Sequence, residues 1–229
     1  MSTSKPARTR RSAAGKRFSL VPADAQQKMY KTIAALKPSL FAAASGTEVA
    51  EIAVCLAIGN NDPLVLAHAA KGARAVRKGS SAANRGQGAD RFERATVSAV
   101  AALIAHETAT ALVCGGRLQH TDDYRRAFGF AARHKLPIIF LVANSLTPGK
   151  KQSLDLRTLY AELGIPVFSM DGNDAIAAYR VTTEALHNAR HGRGPCVIEA
   201  LTFGNNNICK TTSLNLLKSY MERHDNWPL

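Results

Sequence analysis

The spacing of apolar positions changes period along the chain. In ADAQQKMYKTIAALKP, Met29, Ile33 and Leu36 recur three and four residues apart, the spacing of one helix face, and Pro38 closes the segment. GTEVAEIAVCLAIGNNDP repeats the pattern with Val49, Ile52 and Leu56, which predicts a second amphipathic helix stopped at Gly59. PLVLAH reads as a short strand. The Gly-, Ser- and Arg-rich stretch 71–90 predicts a loop, and helical spacing returns from Phe92 to His106. The remainder alternates: strand 109–114, helix 121–134, strand 138–142, helix 153–163, strand 166–169, helix 174–190, strand 196–202. Such alternation predicts an α/β fold, a mostly parallel sheet with helices on both faces. No internal repeat is visible.

Composition narrows the picture. With 229 residues, 46% of them hydrophobic, the chain can bury one substantial core, read here as a single domain over 24–229 behind a basic tail over 1–23. The net charge of +13 is concentrated: six Lys/Arg fall within the first seventeen residues, with no acid before Asp24. A second basic stretch, Lys71 to Arg94, sets seven cations against two acids. It is either a solvated face or a contact for a polyanion. Aromatics are not interleaved with these cations, which argues against a stacking platform for nucleic acid. Cys55, Cys114, Cys196 and Cys209 are widely spaced with no CxxC pair, as expected of reduced core thiols. No stretch approaches the ~20 apolar residues of a membrane span. A cytoplasmic protein is expected, or one of the mitochondrial matrix if the Ser- and Arg-rich tail is a transit peptide.

The candidate chemistry lies at the turn VCGGRLQHTDDYRR, where a buried strand runs into Gly115 and Gly116 with Arg117 at the exit. Thr121, Asp122 and Asp123 then supply capping material for a helix carrying Tyr124, Phe128 and Ala131 at helical spacing. In parallel sheets, ligands collect where strands end and helices begin, because unpaired N–H groups and helix dipoles point there. His187 and His191, four apart on a helix, have the spacing of zinc ligands. They lack the Glu of HExxH and a third ligand, and fit a helix C-terminus equally well. His68 and His120 flank the candidate pocket as acid/base groups or as packing histidines.

GGRLQHTDDYRRAFGFAARHKLPIIFLVANS resembles the cofactor segment of the thiamine-diphosphate-dependent 2-oxoacid dehydrogenases, in the alpha chain of the decarboxylating component. In that family a strand ends in GDG, an EALNFAA-like helix follows, and a KLPVIFV-like strand ends in NN. MDGNDAIAAYRVTTEALHNARHGRGPCVIEALTF is similar to the family's VDGND helix and GP-x-x-IE strand, and MYKTIAAL and EVAEIAVCLAIGNNDPLVLAH to its first helices and strand. The resemblance covers about 25–204 and implies the thiamine-diphosphate-binding fold, with Gly115, Gly116, Arg117, Asn144, His68 and Lys71 placed around the cofactor.

The departures bear on function. In the family, the Asp of GDG and the second Asn of NN hold magnesium, which holds the cofactor diphosphate. Here those positions are Gly116 and Ser145, and Arg117 replaces the last Gly. A hard divalent ion needs oxygen ligands, preferably a carboxylate, which argues against magnesium. The family's Tyr-Arg pair and following His become His68-Ala69 and Lys71, and the later histidine loop corresponds to GNNNICKTT, 204–212, which has none. Arg117, Lys71 and Arg74 could stand in for the ion as fixed cations; alternatively Arg117 pairs with Asp122 or Asp123. The family's active site lies between this chain and a beta chain, which implies a homo-oligomer or a hetero-oligomer with a beta-like chain. Three functions follow: a non-catalytic or regulatory partner with an eroded metal site, an active decarboxylating alpha chain working with a beta chain, or a polyanion-binding protein using 71–94.

Overall fold

The computed structural model describes residues 19–36, 47–59, 62–66, 71–77, 90–105, 110–114, 121–146, 156–203 and 206–227. Its strands are β1 (Leu64–Leu66), β2 (Thr110–Cys114), β3 (Ile138–Leu146), β4 (Val167–Asp171) and β5 (Cys196–Phe203). Its helices are α1 (Ala23–Ala35), α2 (Glu48–Ile58), α3 (Lys71–Val76), α4 (Asp90–Ala105), α5 (Thr121–Arg133), α6 (Leu156–Glu162), α7 (Ala175–Arg190) and α8 (Asn206–Arg223). The strands form one sheet in the order β1-β2-β3-β5-β4, every neighbouring pair parallel.

The IIFLV run of β3 shows why the sheet is covered twice. Ile138, Phe140 and Val142 point to one face, where they meet Ala99 of α4, Phe128 and Ala131 of α5 and Tyr160 of α6. Ile139 and Leu141 point to the other, against residues of α1, α2, α7 and α8. A side-chain period of two with both faces buried leaves no polar position in the strand centre. Phe128 sits edge-on to Phe140 and to Tyr160, at 4.2 and 5.0 Å between ring centroids. The chain steps from β1 through β4 in one direction with α4, α5 and α6 on the first face, then turns back from β4 to β5 with α7 on the second. Reversing direction while keeping right-handed crossovers requires this change of face.

The α/β architecture and most elements agree with the sequence reading; four differ. Stretch 71–90 is not all loop, because α3 spans Lys71–Val76, its first amides held by a carboxylate of α2. Helix α2 is not amphipathic: Val49 and Ile52 are buried as expected, but so are Glu48 and Glu51. Strand β3 continues to Leu146 because β5 pairs with it throughout, Asn144 opposite Leu201 and Leu146 opposite Phe203. Helix α8 was not anticipated in a segment rich in Asn and Thr. It is anchored by buried Leu217 and Met221 and lies against α1, with Trp227, just beyond its end, edge-on to Tyr30 at 5.0 Å.

Candidate functional site

Parallel pairing brings several expected site segments to one edge. Leu66, the last residue of β1, pairs with Val113, and Cys114, the last of β2, pairs with Val142. The ends of β1 and β2 therefore lie on the same C-terminal edge of the sheet as Asn144. His68, Gly115, Gly116, Arg117 and His120 themselves fall outside the described residues. Lys71 opens α3, with its side chain outside them as well. At this edge β3 is followed by α6 on one face and β5 by α8 on the other. The crevice of a doubly wound sheet opens where successive connections part to opposite faces, here between β3 and β5.

Asn144 stands at that crevice and is not free to rotate. Its Nδ2 donates to Oε1 of Glu199 on β5 at 2.9 Å, and Ser169 Oγ on β4 donates to Oε2 at 2.6 Å. Glu199 is buried, and strand parity places all three side chains on the α4–α6 face. A carboxylate oxygen accepts, so the amide nitrogen faces Glu199 and Oδ1 turns away. Glu199 lies in the IE strand segment without having been singled out as a site residue. Its partners sit 55 and 30 positions away, so only the strand order brings them together.

Among the described residues the donor set does not fit a magnesium ion. Gly116 has no side chain, Asn144 offers a single neutral oxygen, and both oxygens of Glu199 already accept hydrogen bonds.

A second cluster lies at the β1–α3 corner. Glu51 Oε2 accepts from Gly72 N at 2.9 Å and Ala73 N at 3.4 Å, and Thr47 Oγ1 donates to Oε1 at 3.3 Å. Burial first, and the neighbouring Glu48 second, push the Glu51 carboxyl up to about 7, against the smaller opposing effect of these hydrogen bonds. Nearby, the buried Asp62 carboxylate pairs with Arg190 at 2.5 Å. Arg77 donates to the carbonyls of Asp62 and Gly59.

Other candidates are not assembled into chemistry. Burial pushes the thiols of Cys55 and Cys196 up to about 12, so neither is a nucleophile at neutral pH. The side chains of Cys114 and Cys209 lie outside the described residues. The rings of His187 and His191 are 4.0 Å apart at the exposed end of α7, and His191 Nδ1 bonds to the His187 carbonyl at 2.7 Å, a helix-terminus arrangement. Among the described residues no group of three His, Cys, Asp or Glu could hold a metal. An open cavity of about 450 Å³ bordered by Arg133, Lys135, Glu162 and Arg193 lies beside the N-terminal ends of β3 and β5, remote from Asn144.

A family model described as the dehydrogenase E1 component matches residues 83–206, a little over half of the chain. The chain belongs to this family. A pyruvate dehydrogenase E1 component subunit alpha of Staphylococcus epidermidis is 39% identical over 95 residues, 39% of this chain and 25% of that protein. The same subunit of Staphylococcus aureus is 38% identical over the same length and shares. The chain thus matches about a quarter of the length of these relatives. A transketolase structure from Campylobacter jejuni superposes with a TM-score of 0.50 at 16% identity, covering 79% of this chain and 38% of the transketolase. That likeness is one of fold. The family is that of the thiamine-diphosphate-dependent 2-oxoacid dehydrogenase alpha chains, and the fold is the thiamine-diphosphate-binding fold.

Proposed function

We propose that this alpha-chain-like E1 homologue has lost its metal site and acts as a non-catalytic, structural or regulatory partner, assembling with a similar copy or a beta-like chain in the cytoplasm. What carries the reading is the pairing of Gly116, where the family has its carboxylate, with an Asn144 whose amide is engaged by Glu199. Partner binding is supported by α4, whose Val97 and Ile104 are 68% and 73% exposed. No helix among the described residues is long and apolar enough to cross a membrane.

The alternative is an active alpha chain that decarboxylates a 2-oxoacid with a beta chain and passes the acyl group to lipoamide. It is favoured by Asn144 Oδ1, which turns away from Glu199, and by the helix start at Lys71 on the same edge. In that case Arg117, Lys71 and His68 would hold the diphosphate as fixed cations and donors. Calorimetric titration with thiamine diphosphate, in magnesium and in chelator, with and without a beta-like chain, separates the two. The first reading expects no magnesium-dependent binding and no oxoacid turnover. Binding that survives chelation, disappears in Arg117→Ala and accompanies turnover establishes the second.

A further inference from the structure

We propose that the open cavity beside the N-terminal ends of β3 and β5 is a binding site for a small phosphate monoester, its anion met by Arg133, Lys135 and Arg193 and its apolar body by Leu163 and Pro195. The site goes beyond the partner role above, and it lies at the opposite edge of the sheet from Asn144. At about 450 Å³ the cavity has the size of small-molecule sites. Gly129 of α5 opens its floor. Nothing else in the structure calls for glycine there: its backbone is helical, and an added Cβ would meet only Leu163 Cδ2, at 3.8 Å. A glycine inside a helix is unfavourable relative to alanine, and what its missing side chain leaves here is room.

The cations around this cavity are not balanced within the chain. Glu162, the acid on its rim, is engaged by Arg125 Nη1 at 3.2 Å. Arg193 donates one N–H to Asn188 Oδ1 at 3.0 Å, which leaves the rest of its guanidinium for a ligand. Among the described residues no ion pair or hydrogen bond engages the side chains of Arg133 and Lys135. Nor are these cations needed as helix caps, although all three lie at or just beyond helix C-termini. Leu136 N and Lys135 N close the carbonyls of Ala131 and Ala132 at 2.9 and 3.1 Å, and Gly192 N and Arg193 N close those of Ala189 and Asn188, both at 3.1 Å. The two turns abut, because a Cβ on Gly194 would stand 3.4 Å from Lys135 Cα, so Lys135 and Arg193 are carried side by side on backbones in contact. His134, between Arg133 and Lys135, stacks on the Phe130 ring at 4.3 Å. Three cations about one apolar floor match a dianion better than a single carboxylate, and a guanidinium meets phosphate oxygens with paired N–H bonds.

Titration calorimetry of the full chain with 1-naphthyl phosphate tests the site at about pH 8, where a phosphate monoester carries nearly two charges. Inorganic phosphate and 1-naphthol serve as probes of the anion and the apolar body alone. The ester is expected to bind at one site, at least about tenfold more tightly than either probe, and to weaken several-fold as salt rises from about 0.05 to 0.5 M. Arg133→Gln and Arg193→Gln should each weaken it about five- to tenfold. Arg180→Gln, which removes an exposed cation about 15 Å along α7 from its C-terminal end, should leave it unchanged. Gly129→Leu alters no charge but fills the floor, and should abolish binding; where that variant fails to fold, the two rim variants decide. Absence of one-site binding, either probe binding as tightly as the ester, or ester binding that survives in folded Gly129→Leu overturns the proposal. So does a loss in Arg180→Gln equal to that of the rim variants, because the ester would then be reading only the diffuse charge of the chain.

Discussion

At the residue scale, buried acids distinguish this protein. Glu199 is satisfied by two donors from neighbouring strands, whereas Glu51 is held beside another acid with only partial compensation. The consequence for stability has a definite sign. A carboxyl raised from 4.5 to about 7 in the folded chain keeps a proton that the unfolded chain has already released across that window. Stability from this group is therefore fully present below pH 4.5 and is lost as pH rises through 7. Glu51→Gln, which copies the neutral form, should match the unmodified chain at pH 4 and exceed it by roughly 1–3 kcal/mol at pH 8 in urea denaturation. Equal stability at pH 8 would contradict the raised carboxyl. Asn144 stands out in the sequence through the resemblance to the family's NN motif, but its clamp does not, because Glu199 and Ser169 become its neighbours only when β5 pairs with β3 and β4.

At the element scale, α3 is the informative case. Six residues of Lys-Gly-Ala-Arg-Ala-Val are too few to form a stable helix alone, and a Gly near the start weakens the propensity further. The helix exists because a carboxylate from α2 meets its first amides and because Gly72 lets the two backbones touch. Gly72→Ala should therefore destabilise the chain by about 1–3 kcal/mol or more, since the atom in the way is backbone and cannot rotate aside. Circular dichroism melts of this variant beside Gly129→Ala, whose Cβ would meet only Leu163 at 3.8 Å, provide the control. Comparable melting of the two variants would contradict the close approach. By contrast, α7 was readable in advance: Asp174 accepts from Ile176 N and Ala177 N at 2.9 and 3.0 Å, as an acid ahead of an apolar periodic run implies.

At the scale of the molecule, the doubly covered sheet leaves apolar surface on its outside. Val97 and Ile104 lie two turns apart on α4, on the face away from the core that buries Ala99. If α4 meets a partner, Val97→Glu with Ile104→Glu should return an assembled species to monomer in sedimentation experiments while leaving the melt nearly unchanged, because surface substitutions move stability little. An unchanged sedimentation coefficient would place the partner contact elsewhere. The double change is also expected to raise solubility, since it replaces exposed hydrocarbon with charge.

The chain by itself determined the periods of its elements, the parallel α/β class and the family, because spacing and local segment identity are properties of consecutive residues. It also showed the exchange of a carboxylate for Gly116, a change visible without coordinates. Tertiary structure alone decided the strand order, the crevice between β3 and β5, the Asn144–Glu199–Ser169 contacts and the burial of Glu48 and Glu51. The physical reason is that burial and hydrogen-bond partnership depend on what lies across the sheet or in the next helix, often more than twenty positions away. A Glu on a helix looks the same in sequence whether it faces water or another helix; only packing determines the cost of its charge.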